Sequence, residues 1–369
     1  MEIDAFVLEA AGAPFHPETI RLDPPRDGEV LVAVTAVGVC HSDAAIRSGR
    51  IPHRFPAVVG HEAAGRVVEA GAGTDLAPGT RVLVGWIPQC GSCDRCLRGL
   101  AHLCRASTTA LRGYQLDGTV RRTRADGSDL YAMGSVGAFA THAVVPVAGI
   151  VALPDDLPDE IAALIGCAVL TGVGAAVNAA GIRPGDPVVV IGAGGVGLNA
   201  VQGARLAGAG PIGVIDPNPD RRRLALELGA SEATDPTADL SAWVTRLTGD
   251  RGSPVVIESA GRPDTGRMAF DLTSPGGTTV LVGLPGSDVE LRLPVFSLVS
   301  SGRRVVGSWF GDADLARDVP LVIEWWRQGR LRLDPLVSST GPLSDLPAAV
   351  ARLEAGEGVR TVLLPQAGP

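Results

Sequence analysis

Lysine is absent from this 369-residue chain, and all 32 of its basic residues are arginine. That absence excludes Schiff-base aldolases and pyridoxal enzymes, Walker-type phosphate loops, and dehydrogenases built on a Tyr-x-x-x-Lys pair. A positively charged leader is lacking too: the chain starts Met1-Glu2-Ile3-Asp4, and no apolar region with a small-residue cleavage site follows. Export is not signalled, and a cytoplasmic location is expected. A net charge of -8 and a pI near 5.3 argue against nucleic acid or an anionic membrane face as a partner. The uncharged stretch 161–182 is long enough to imitate a membrane span, yet it holds Gly166, Gly172, Gly174, Asn178 and Gly181. A buried helix of small residues is the expectation there.

What is present reads as two domains, each large enough to bury its own core. In the N-terminal half the β-branched run Val30 to Val39 reads as a strand, and Asp27-Gly28 and Pro78-Gly79 punctuate a mainly β domain. Further on, the buried strand Val188 to Ile191 precedes a Gly-rich turn, a helical stretch to Leu206 and a second strand from Ile212 to Ile215, which together make a βαβ unit. Strands at Val255 to Ile257 and Thr279 to Val282 extend this into a parallel α/β sheet with helical crossovers, and the tail from Gly311 alternates helix and strand.

Six cysteines fall at 40, 90, 93, 96, 104 and 167, and in a leaderless chain that usage points to metal ligation rather than disulfides. Cys90, Cys93, Cys96 and Cys104 supply four thiolates to one short loop, the donor set of a closed tetrahedral zinc site with no room for water or substrate. The remaining pair, Cys40 and Cys167, together with His61, would make an open three-ligand zinc site with a fourth position for water or an alcohol. Taken singly, each has an ordinary alternative: a small buried hydrophobe for the cysteines, a hydrogen-bonded core residue for the histidine. Their distance along the chain leaves that choice open.

The segment Gly192-Ala-Gly194-Gly195-Val196-Gly197 follows a strand and opens a helix, and Asp216 ends the next strand. In that context it is the dinucleotide-binding fingerprint. An acid at Asp216 accepts hydrogen bonds from the adenosine ribose and repels a 2′-phosphate, so NAD is expected over NADP, with Arg221 to Arg223 close behind as a competing influence.

Over essentially its whole length the sequence resembles the zinc-dependent medium-chain alcohol dehydrogenase family. The segment Gly60-His61-Glu62-Ala63-Ala64-Gly65, with Gly71, resembles that family's zinc signature, with Thr74 in place of a smaller or aliphatic residue. The four-cysteine loop, Gly166-Cys167 and the Gly-rich turn follow in the family's order. The resemblance implies a mainly β GroES-like catalytic domain, residues 1–168 and 310–369, with a structural zinc lobe at 90–104. It also implies a doubly wound parallel-sheet Rossmann domain, residues 169–309, with the active cleft between the two. It makes Cys40, His61 and Cys167 ligands of a catalytic zinc, Glu62 the acid beside it, Asp43 the orienter of His61, and Ser42 the contact to the substrate hydroxyl. Thr171 and Val196 would pack near the nicotinamide, Arg221 would join the cofactor site, and Arg360 and His41 would reach the pyrophosphate. Ile51, Trp86, Leu284 and Trp309 would line the substrate pocket.

The implied activity is reversible oxidation of an apolar alcohol, of aromatic or terpenoid kind, to an aldehyde or ketone, with NAD and two zinc ions per chain. Within the family, Leu116 to Arg121 resembles the liver-type dimeric branch, so a homodimer is expected, with edge strands near Leu291 to Leu298 pairing across the two-fold axis. The stretch Asn199 to Gly208 resembles a bacterial subgroup of nicotinoproteins, which hold NAD tightly and need an external acceptor to reoxidise it. Two departures stand out. Ala45 takes the place of a relay histidine, and the residues after Ser48-Gly49 and Cys104-Arg105 do not match a glutathione-adduct site. A zinc-free quinone-type reductase would lack Cys40, His61 and Cys167, and a non-enzymatic NAD-binding regulator would not need an open zinc position.

Overall fold

In the computed structural model, which describes residues 1–366, the chain divides into two units. The first comprises Met1–Cys167, Asp314–Glu324 and Leu333 onward; the second comprises Ala168–Ala313 and Trp325–Arg332. The division departs from the expected 309/310 boundary: residues 310–313 and the segment Trp325–Arg332 belong to the second unit. The reason is visible in hydrogen bonds: Gln202 brackets the backbone of Arg332, donating to its carbonyl at 3.1 Å and accepting its N–H at 2.8 Å.

The first unit is built from two β layers. Strands Glu2–Leu8, Phe15–Leu22, Arg122–Thr123, Asp129–Ala132 and Ala57–Val58 close into a small barrel. A second sheet runs in the order Ile150–Ala152, Arg81–Val84, Glu62–Ala70, Glu29–Gly38, Arg360–Leu364, Val337–Pro342, and His142–Pro146 also pairs with Glu29–Gly38. The strand Glu29–Gly38 is buried along nearly all its length, which is why it reads as a continuous apolar run rather than an alternating one. The segment of liver-type resemblance is pinned to its start. Arg121, fully buried, donates to both carboxylate oxygens of Glu29 at 2.8 Å and to Asp117 at 2.7 Å.

The second unit holds a six-stranded all-parallel sheet in the order Glu232–Thr234, Ile212–Ile215, Val188–Ile191, Ser253–Glu258, Thr273–Leu281, Arg304–Gly307. In its own numbering that order is 3-2-1-4-5-6, the doubly wound pattern whose switch point lies at the first strand. Val189, Ile191, Ile215 and Val256 pack with Trp243, Val244, Leu247 and Ala269 of the helices Leu240–Thr248 and Pro263–Leu272 to form its core. All but the last three residues of the uncharged stretch lie in a helical run, Asp159–Ala179, whose most apolar window is 83% buried, so its apolarity is that of a core helix. The strand expected near Leu291 to Leu298 is absent: Pro294 instead starts the helix Val295–Ser301. The alternation Leu291, Leu293, Val295 suggests a strand, but a proline cannot donate to a ladder and sits readily at a helix start.

Candidate active site and metal centres

Cys40 lies two residues beyond the long strand Glu29–Gly38 of the first unit and caps the helix His41–Arg47. Asp43, at the third position of that helix and fully buried, holds both sides of the site at once. One carboxylate oxygen accepts the Cys40 backbone N–H at 2.9 Å; the other accepts Gly60 N–H and His61 Nδ1, each at 3.1 Å. With Nδ1 committed to Asp43, the other ring nitrogen of His61 is the one left to bind a metal. Cys167 comes from a wide helical turn, Ile165–Val169, of the π type. Such turns occur often where a side chain must be re-aimed for function. Cys40, His61, Glu62 and Cys167 place a ligand atom each within 4.8 Å of one another, and all four are buried.

Electrostatics suit these residues to a cation. The Cys40 thiol is held well below its ordinary value by the hydrogen bond from Cys167, against the effect of burial and with help from Arg360 and His61. Cys167, the donor of that bond, is pushed up by it and by burial. Burial works to lower His61, but Asp43 and Cys40 outweigh it and raise it well above the usual imidazole value. Glu62 is pushed up to about 7, chiefly by burial, with Arg360 opposing. Two cysteines, a histidine oriented by a carboxylate and an acidic neighbour in a sealed cluster fit zinc with an open position.

Arg360 was expected at the pyrophosphate. Its guanidinium is instead turned inward: Nε and Nη2 donate to the two oxygens of Glu62 at 3.1 Å each, and Nη2 lies 3.4 Å from Cys40 Sγ. Gly38, which the sequence reading passed over, makes this possible. A Cβ there would lie 2.3 Å from Glu62 Oε2.

Cys90, Cys93, Cys96 and Cys104 form the second group, again within 4.8 Å. Backbone N–H groups of Cys93 and Cys90 point at the sulfurs of Cys90 and Cys104, at 3.4 and 3.3 Å. Those of Ser92 and Cys93 lower Cys90 to about 6, as suits a thiolate. Glu9, His16 and Glu18 also lie close together, but Arg124 already supplies a cation there by pairing with both glutamates. A groove of about 690 Å³ lined by Arg66, Arg81, Asp155 and Asp159 includes no member of either cysteine cluster.

In the second unit the Gly-rich turn is shaped by close approach. A Cβ on Gly197 would fall 1.8 Å from Gly192 O, and one on Gly172, beside Thr171, would fall 2.2 Å from Val196 O. Gly194 caps the helix Gly195–Leu206 with open space before it, the arrangement in which a helix start receives phosphate. Asp216 directly follows the second strand, accepting Ala193 N–H at 2.6 Å and Asn218 N–H at 2.8 Å. Arg221 lies in the first turn of the next helix, Pro219–Glu227. Its neighbour Arg222 ties the strand end down, donating to the carbonyls of Asp216 and Pro217 at 2.6 and 2.9 Å.

Of the four expected pocket residues, Trp86 is in the first unit with its ring edge-on to His61, centroids 5.8 Å apart. Ile51, also in the first unit, bonds its N–H to the carbonyl of Ala45 at 3.1 Å. Leu284 and Trp309 belong to the second unit, where Leu284 is half exposed. Ser42 Oγ lies 3.9 Å from Cys40 Sγ, and His41 is exposed at the first turn of its helix.

Comparison with known proteins agrees with this geometry. The alcohol dehydrogenase GroES-like domain matches residues 26–155, and the zinc-binding dehydrogenase domain matches residues 195–327. A putative alcohol dehydrogenase D of Mycobacterium tuberculosis is 38% identical, covering 99% of this chain and all of its own. An NDMA-dependent alcohol dehydrogenase of Amycolatopsis methanolica is 37% identical, covering 99% of both. The crystal structure of benzyl alcohol dehydrogenase from Acinetobacter calcoaceticus superposes with a TM-score of 0.90 at 28% identity over 99% of each chain. The chain belongs to the zinc-dependent medium-chain alcohol dehydrogenase family and is an oxidoreductase that uses zinc and a nicotinamide cofactor.

Proposed function

We propose that the protein oxidises apolar alcohols, aromatic or terpenoid, reversibly to aldehydes or ketones with NAD, and carries two zinc ions with different roles. The observation that carries the reading is the Cys40, His61 and Cys167 cluster, with His61 fixed by Asp43 and packed edge-on against the Trp86 ring. When bound, zinc supplies Lewis acidity toward the alcohol hydroxyl and the nicotinamide accepts hydride. Cys40, His61 and Cys167 hold the metal, and the four-cysteine loop holds the other ion and does no chemistry. Ser42, able both to donate and to accept, receives the alcohol's proton. Trp86 and Ile51 give the alcohol an apolar wall. Asp216 selects NAD by its charge.

The name of the Amycolatopsis relative makes its activity depend on an added compound, NDMA, which supports a second reading in which NAD stays bound and an external acceptor reoxidises it. A panel of aryl, terpenoid and short aliphatic alcohols, run with added NAD and then with an artificial acceptor alone, tests both. Turnover that needs added NAD favours the first; acceptor-dependent turnover, with NAD released on denaturation, favours the second. No oxidation of any alcohol under either condition overturns both.

A homodimer fits as well. The helix Val295–Ser301 exposes Val295, Phe296 and Val299, Phe296 at 86%, just before the sheet's edge strand Arg304–Gly307. Light scattering of the wild type and of Phe296→Asp tests it, with a dimer and a monomer expected.

A further inference from the structure

Arg122, on a strand of the small barrel of the first unit, is 1% exposed, and among the described residues no carboxylate pairs with it. Its Nη2 donates to the carbonyls of Val136 and Gly137 at 2.5 and 3.3 Å, and its Nε has no partner. Burial alone lowers its guanidinium to about 10. A buried cation without a counter-charge is a poor choice for stability, since an apolar side chain of similar length would serve better. Something other than stability has to account for it.

The turn it holds is unusual. Gly134, Ser135 and Gly137 all have left-handed backbones, with φ of 62°, 60° and 55°, and Ser135 is not a glycine. Three consecutive carbonyls of this turn are held by buried side chains: Ser135 by Gln115 at 3.3 Å, and Val136 and Gly137 by Arg122. The turn touches the zinc site in two places. Gly134 lies against Trp86 so closely that a Cβ would fall 2.8 Å from the Trp86 carbonyl. Just beyond the turn, Ala138 and Phe139 donate backbone hydrogen bonds to Gly60 and Val59 at 2.9 and 3.0 Å, immediately before His61.

We infer that Arg122 is a positioning residue for alcohol recognition: it clamps the Met133–Gly137 turn, and through that turn sets Trp86 and the Gly60–His61 segment. The inference rests on Trp86 walling the alcohol pocket, as proposed above. Arg122 acts only through the turn and touches no reacting atom.

The test uses the zinc-loaded enzyme and the variants Arg122→Met, Arg122→Lys and Trp86→Ala. Arg122→Met should unfold no earlier than wild type. It should speed hydrogen exchange in peptides spanning 133–139, and lower the preference for an aryl alcohol over ethanol by about tenfold or more, mainly through KM. Arg122→Lys, which keeps one charged donor, should recover part of that preference. If Arg122→Met loses thermal stability while exchange in the turn and the alcohol preference stay at wild-type values, the residue is merely structural and the inference fails. Should Arg122→Met not fold, Gln115→Met removes the turn's other donor and is read the same way, an unchanged preference again overturning the inference. Trp86→Ala separates the two levels. If it shifts the preference and the clamp variants do not, only the clamp is wrong; if it does not shift the preference, the pocket assignment fails and takes the inference with it.

Discussion

Glu62 and Arg360 face one another as a bidentate ion pair, 3.1 Å at each contact, with neither side chain more than 3% exposed. They lie at opposite ends of the chain and meet because Glu62 pairs across the sheet with Gly38, which in turn pairs with Val362, two residues from Arg360. Gly38 is therefore the residue on which the pair depends. We expect Gly38→Ala to push Glu62 aside and leave a buried charge unmatched, destabilising the protein by about 3–5 kcal/mol. Urea unfolding of the variant checks this, and a loss within about 1 kcal/mol, ordinary for a point substitution, would show that the pair tolerates the added methyl.

Acid stability should depend on Asp117. Burial works to raise its carboxyl, but the hydrogen bonds from Arg121 and Thr119 outweigh it and hold the group well below the usual carboxylate range. A carboxylate lowered in the folded state stabilises fully above its unfolded value and loses that contribution as pH falls through the folded one. The gap in melting temperature between wild type and Asp117→Asn should therefore hold steady between about pH 7 and pH 4 and shrink only below that. A gap that closes between about pH 7 and pH 5 would assign the effect to another group.

Cofactor choice should turn on Asp216. Ala193 and Asn218 bond to different oxygens of Asp216, so replacing it with Asn keeps an acceptor for one of these two N–H groups only, while removing the charge that repels a 2′-phosphate. The ratio of kcat/KM for NAD over NADP should fall by about tenfold or more. A wild type that already prefers NADP would contradict the assignment.

Proton release is one place where this chain departs from its resemblance. Ala45 is buried on the helix that follows Cys40, three residues after Ser42, the residue proposed to receive the alcohol's proton, and its methyl group cannot carry a proton onward. A well-placed general base contributes roughly 10²–10⁴-fold when proton transfer limits the rate. Ala45→His should raise turnover at acidic and neutral pH more than at alkaline pH, where hydroxide takes the proton unaided. An unchanged pH profile would mean the proton already has an efficient route.

The parts of this account legible in the sequence are those written in local spacing. The four clustered cysteines, the Gly-rich turn between strand and helix, and Asp216 just after the next strand all depend on neighbours within a few tens of residues. What spacing could not carry was set across the sheets. Arg360 turns toward Glu62 rather than outward, Gly38 keeps their space clear, and nothing in the residues beside Arg122 marks it as buried. The strand expected near Leu291 failed for a local reason that was present in the sequence, since Pro294 favours a helix start over a ladder position.

If the proposed reading holds, one cysteine cluster binds a structural metal and the other a catalytic one. Metal analysis of the wild type, Cys93→Ser and Cys40→Ser, read beside melting temperature and alcohol turnover, tests it most directly. The expected results are two zinc ions per wild-type chain, reduced zinc and a lower melting temperature for Cys93→Ser, and a folded Cys40→Ser protein without turnover. A single metal per wild-type chain, or a Cys40→Ser protein that still oxidises alcohols, would contradict it.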